Sequence, residues 1–172
     1  MTRVFGLFLL LVACGQSDGT TTDSTDHFIP LQRDFANYRQ WRAFDLGVAA
    51  ADSVHPEGRR VVYLNQAPPS GSTTFPTGTI LVKTVTPSDG STASIFAMAK
   101  RGGTYNAQGA VGWEWFELQD GSDGTALIVW RGITPPSGEG YGNVVGGACN
   151  TCHGLHQDND YVASSALLLG TF

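Results

Sequence analysis

Alternating apolar and polar residues dominate the middle of the chain. Residues 59–66 (RRVVYLNQ), 78–86 (GTILVKTVT), 94–101 (SIFAMAKR), 112–118 (GWEWFEL) and 126–131 (ALIVWR) each concentrate β-branched or aromatic residues over the length of a strand. Turn formers separate them: 67–72 (APPSGS), 87–90 (PSDG), which reads as a tight hairpin turn, and 120–124 (DGSDG). Ahead of the strands, residues 28–46 carry Phe35, Tyr38, Trp41 and Phe44 at spacings of three, the stripe of a helix. Behind them come a long Gly-rich loop over 135–147 and a short terminal element over 161–169. The pattern predicts a mainly β (α+β) fold, an antiparallel sheet with an N-terminal helix.

Composition narrows the class. A chain of 172 residues suggests one domain. With 15% charged residues, 22 Gly and 8 Pro, it is no helical bundle, and its aromatic content excludes a disordered chain. A net charge of -5 without a basic block excludes nucleic acid as a partner. Residues 1–13 join one positive charge to about ten apolar residues, the layout of a secretory signal and too short to cross a bilayer. The run ends in Leu11-Val12-Ala13-Cys14, which resembles a bacterial lipobox. That resemblance implies cleavage before Cys14 and lipidation of its thiol. Residues 14–27 then form the lipidated Cys and a flexible polar tether, and 28–172 the folded domain. The expectation is a domain on the periplasmic side of a bacterial membrane, held by a lipid anchor only. Gly15 after the Cys favours the outer membrane.

The other two cysteines carry the chemistry. They stand in Cys149-Asn150-Thr151-Cys152-His153, the attachment motif of c-type haem. Two thiols three residues apart suit the two vinyl groups on one porphyrin edge, and the adjacent His lies under the iron as proximal ligand. A thioredoxin-like pair belongs near the start of a βαβ unit, and a zinc site needs two further ligands. The motif predicts one covalent haem c per chain, bound at Cys149, Cys152 and His153, with His153 on the metal. For the sixth position the chain offers Met98, which also suits plain core packing. His156 lies on the proximal side with His153; His27 abuts the tether, and His55 precedes Pro56 in a loop. An open distal site is the leading reading, suited to a small ligand.

Haem on a β body, with its motif near the carboxyl end, invites comparison with one family. Asn37-Tyr38 with Trp41, His55-Pro56 with Arg60 to Asn65, Phe75-Pro76-Thr77-Gly78-Thr79 leading to Lys83, Met98 to Arg101, Gly112 to Glu117, and the haem motif followed by Asn159 to Val162 resemble, in order and spacing, the cytochrome P-460 family, which includes the cytochromes c′-β. The resemblance implies a β-sheet homodimer with five-coordinate haem c. In P-460 members a lysine is linked to a haem meso carbon and hydroxylamine is oxidised, with electrons leaving to another cytochrome. In c′-β members the link is absent, phenylalanines cap the distal face, and nitric oxide is bound.

Only two lysines occur. Lys83 matches the linking position and sits between Leu81 and Val85 on one strand face, as a snorkelling edge residue or a functional amine. Lys100, beside Arg101 and Gly102-Gly103, reads as an ordinary solvated position and is the rival. A carboxylate is the natural proton acceptor. Glu114 and Glu117 are the candidates, on opposite faces of one strand, one of them facing solvent; Glu139 in the Gly-rich loop is a third. Arg131 suits a haem propionate, and Phe75 and Phe96 suit either a distal cap or the core. Three functions stay open: hydroxylamine oxidation, nitric oxide binding, and plain electron transfer with Met98 as ligand.

Overall fold

The structure is a computed structural model that describes residues 27–52, 54–133 and 148–172. The signal segment, Cys14 with its tether up to residue 26, the Gly-rich loop and Glu139 lie outside the described residues.

Six strands form one antiparallel meander in chain order: β1 (Arg42–Ala49), β2 (Gly58–Leu64), β3 (Ile80–Thr86), β4 (Ser94–Lys100), β5 (Trp113–Asp120) and β6 (Ala126–Gly132). Every strand pairs with its sequence neighbour, as short connections favour. The β3–β4 connection carries the expected turn, closed by Gly90 N–H donating to Pro87 O at 3.3 Å. Both faces of the central strands β3, β4 and β5 are covered, so these are largely apolar on both sides, whereas the edge strands β1 and β6 stay mostly half-buried or exposed.

The continuous helix expected over 28–46 is replaced by two single 3-10 turns, Gln32–Phe35 and Tyr38–Gln40, followed by β1. A 3-10 helix has three residues per turn. The spacing of three that suggested an α-helix therefore suits these turns equally. Asn37, left-handed at φ 55°, separates them, and Phe44 belongs to the strand. At the bulge between Asp45 and Gly47, Gly47 takes φ +75° and its N–H donates to Asp45 Oδ1 at 2.9 Å.

The N-terminal turns cover the far face. There Phe35 and Tyr38 pack with Ile80, Val82, Ile95, Phe116 and Leu118, and the Phe35 and Phe116 rings lie 5.0 Å apart. The C-terminal segment covers the near face. It begins with a short helix, α1 (Ala148–His153), and continues through 3-10 turns to the end. Val162, Leu167 and Leu169 pack there against Leu64, Leu81, Met98, Trp113 and Trp115. Buried Asn159 fastens this segment, donating to Val162 O and Leu167 O and accepting from Leu169 N–H. Among the described residues no helix is long and apolar enough to cross a membrane.

Candidate functional site

A cavity of about 140 Å³, open to solvent on one side, lies between the near face and the C-terminal segment. Register explains its floor. Val62, Lys83 and Phe96 stand side by side on β2, β3 and β4, and Leu81 and Met98 form the next row. Strand alternation points all five to the same face. Trp115, Trp130, Val162 and Leu167 complete an apolar lining, and Cys149 and His153 enter from α1.

Helix α1 delivers Cys149 and His153 four residues apart, hence on one helix face. The His153 ring lies 4.6 Å from the Trp115 ring, and its Nδ1–H donates to Tyr161 O at 2.6 Å. With Nδ1 so engaged, the lone pair sits on Nε2. Burial pushes the imidazole down to about 4, so it is neutral at pH 7. Burial also pushes the Cys149 thiol up to about 11. Cys152 is exposed.

Asn150, an unspecified position of the motif, fixes α1 to the sheet. Its Oδ1 accepts from Trp115 Nε1, Asn106 Nδ2 and Ala110 N–H at 3.0, 2.8 and 3.2 Å. Asn150→Ala strips these donors of their partner. The expected loss is about 1–3 kcal/mol, read as a lower urea midpoint with unchanged slope.

Across the cavity floor stands a second constellation. Asp52 accepts backbone N–H bonds from Val54 and His55 at 2.8 and 2.7 Å, a local Asx turn. Its carboxylate also meets His55 Nδ1 at 3.0 and 3.1 Å. The tautomer that satisfies both sides of the ring carries its proton on Nδ1. Nε2 then accepts from Lys83 Nζ at 2.6 Å. Phe96 stands edge-on to the imidazole at 5.0 Å. The Arg60 guanidinium touches Asp52 at 3.1 Å. Burial first, and the Arg60 charge second, lower the Lys83 ammonium from 10.5 to about 8. Burial first, and the Lys83 charge second, lower His55 to about 4. Burial opposes ionisation of Asp52, but the N–H bonds it accepts hold its carboxyl well below the usual range.

The other sequence candidates fall elsewhere. Lys100, expected in solvent, is buried. Its Nζ pairs with Asp160 Oδ1 at 2.6 Å, donates to Val111 O at 3.3 Å and lies 5.1 Å above the Trp113 ring. Glu114 is on the far face, 2% exposed, and accepts two bonds from Arg131 and one from Arg101, all at 2.8 Å. Arg131 is thereby held away from the cavity, and it also donates to Pro30 O. Glu117 shares the near face with Trp115, next to Phe96 and Trp130 in register, and is half-buried rather than facing solvent. It stands two strands from Lys83, roughly 10 Å by interstrand spacing. Phe75 is core, 5.9 Å from the Trp113 ring, whereas Phe96 lines the cavity. Met98 belongs to the near-face core, and part of it reaches the cavity wall. Sequence reasoning set His55 aside as a loop residue and missed Asp52, Asn150 and Asp160. The Asp52-x-x-His55 spacing ahead of Pro56 is the signal that announces an Asx turn.

The cavity fits haem on its own chemistry. Its lining is largely apolar, and His153 presents one neutral imidazole nitrogen. Two cavity-wall residues also hold buried polar atoms without a partner, Arg60 Nε and Ser164 Oγ, as a group with carboxylate arms requires. Among the described residues no group of three or more His, Cys, Asp or Glu forms a metal cluster. A model of the family described as Cytochrome P460 matches residues 35–164, most of the chain.

The chain belongs to the Cytochrome P460 family.

Membership makes it a haem protein of cytochrome c type and places the cavity in a known context. The match begins at the first 3-10 turn and ends at Ser164, taking in the whole sheet, the Asp52–His55–Lys83 constellation and the haem motif. No curated protein and no solved structure matches the chain.

Proposed function

We propose that the protein is an exported, lipid-anchored haem c enzyme that oxidises hydroxylamine and passes the electrons to another cytochrome. The observation that carries this reading is the position of Lys83. Its amine projects from the strand following Phe75-Pro76-Thr77-Gly78-Thr79 into the cavity that Cys149 and His153 enter from the other side. A lysine there suits the haem link of the P-460 members. Cys149 and Cys152 would hold the ring by thioethers, His153 would ligate the iron, and Arg60 and Ser164 would bind the propionates. Haem, when bound, supplies an iron that withdraws electrons from the substrate nitrogen. Removing three electrons and three protons from hydroxylamine leaves nitric oxide, so the cavity must accept protons while a one-electron carrier takes the electrons. The apolar walls exclude bulk water, and the Tyr161 carbonyl keeps His153 in its ligating tautomer.

A specific observation favours a second reading. Phe96 lines the cavity and can cap a distal face, as in a nitric oxide-binding c′-β protein. The optical spectrum separates the two. For the enzyme, the expected result is a red-shifted ferrous Soret band, an atypical pyridine haemochrome and a haem peptide whose mass includes the Lys83 strand. In Lys83→Arg both anomalies vanish while haem is retained. A wild-type spectrum of ordinary high-spin haem c, with Lys83 unmodified, supports nitric oxide binding instead.

A further inference from the structure

Glu114 lies behind the sheet, and Glu117, though on the near face, stands two strands from Lys83 and is not among the residues that line the cavity. We propose that His55, oriented by Asp52, is the catalytic group that takes protons from the nitrogen substrate and hands them to solvent. This inference rests on the hydroxylamine reading and adds to it the residue that removes the protons.

Three features carry it. First, His55 lines the cavity. Among the described residues, the charges that act on it are Asp52, Lys83 from β3 and Arg60 from β2, with Phe96 of β4 edge-on and Cys149 and His153 of α1 across the cavity. Second, the ring is fixed at both ends. Asp52 fixes the Nδ1–H tautomer, which leaves Nε2 as the accepting atom on the cavity side. Third, the constellation spans from inside to outside. The His55 side chain is 17% exposed and that of Asp52 45%, so a proton accepted at Nε2 yields an imidazolium that Asp52 stabilises; one proton then leaves to water, and exchange with solvent returns the ring to the Nδ1–H tautomer that Asp52 holds before the next proton is taken. The proton balance is one per electron passed to the one-electron acceptor.

Lys83 sets the strength of this base. While Lys83 is an ammonium it competes for Nε2, and its charge disfavours the imidazolium. Bonding of that nitrogen to a ring carbon removes the charge. His55 then moves back towards the neutral range, where proton acceptance at pH 7 is most effective. The link and the base are thus coupled through one 2.6 Å contact.

The test uses the haem-loaded protein with hydroxylamine and a one-electron dye acceptor. His55→Gln is expected to lower kcat about 100-fold. Optical titration should show hydroxylamine binding to the ferric protein within threefold of wild type, and the haem peptide mass should show an unchanged link. Added imidazole should restore kcat at least tenfold in His55→Gly, a rescue that a purely structural role does not give. Asp52→Asn should shift the acid limb of the kcat profile. A wild-type protein inert to hydroxylamine overturns the function and this inference together. An active wild type with an equally active His55→Gln, or with a His55→Gly that imidazole does not restore, overturns the inference alone.

Discussion

Asp160→Ala is expected to cost about 3–5 kcal/mol, the largest stability loss of any single substitution considered for this protein. The ammonium of Lys100 is buried beside Trp113, and among the described residues Asp160 is its only carboxylate partner, at 2.6 Å. Removing the carboxylate leaves that charge uncompensated in the core. It also removes the acceptor of Phe75 N–H, at 2.9 Å. The loss reaches the haem ligand as well. Asp160 and Tyr161 both have positive φ, 49° and 67°, and Trp113 Nε1–H holds the Asp160 carbonyl at 2.8 Å. This strained pair aims the Tyr161 carbonyl at His153. Urea denaturation of Asp160→Ala, and of Asp160→Asn, Lys100→Met and the double variant Lys100→Met/Asp160→Asn as a cycle, forms the check. The double variant should recover at least half of the loss, because no charge is left unpaired. Additive losses would show that the pair acts through packing alone.

Glu114→Gln should destabilise the protein by about 3 kcal/mol and leave hydroxylamine turnover per folded haem within threefold of wild type. The carboxylate lies between two guanidinium groups, its side chain 3% exposed, with Arg101 and Arg131 at 19% and 32%. An amide offers one acceptor oxygen where three N–H bonds now converge. The partial exposure of both arginines keeps the expected cost at the low end for a buried network. Turnover lost from a fully folded Glu114→Gln would restore Glu114 to the chemistry; a stability loss with intact turnover fixes it as a clamp between the far face and the Pro30 segment.

The contrast between these two acidic residues and the haem motif shows what a sequence displays. Cys149, Cys152 and His153 are legible because their chemistry is local, with all the spacing inside five residues. The strands are legible because turn residues at 87–90 and 120–124 punctuate a period of two. The first strand was hidden, because aromatic residues three apart satisfy an α-helix and a 3-10 turn alike, and RAFDLGVA offers little alternation of its own. Lys100 looked solvated because its sequence neighbours are polar, whereas its partner lies sixty residues away. For Glu114 and Glu117 the alternation separated the two faces correctly. It could not say which face holds the cavity, since both are covered. His55 needs the β2–β3 pairing before it meets Lys83, and no period in the chain announces that encounter.

Neighbour-to-neighbour strand order has a consequence for biogenesis. A meander closes each hairpin as soon as its second arm is available, without waiting for distant sequence. The platform thus precedes the haem motif in chain order, and the segment that covers the near face, pinned by Asn159, starts at that motif. Cys149, Cys152 and His153 stand on that covering segment itself, so a haem joined there would be laid onto the sheet floor by the very stretch of chain that holds it.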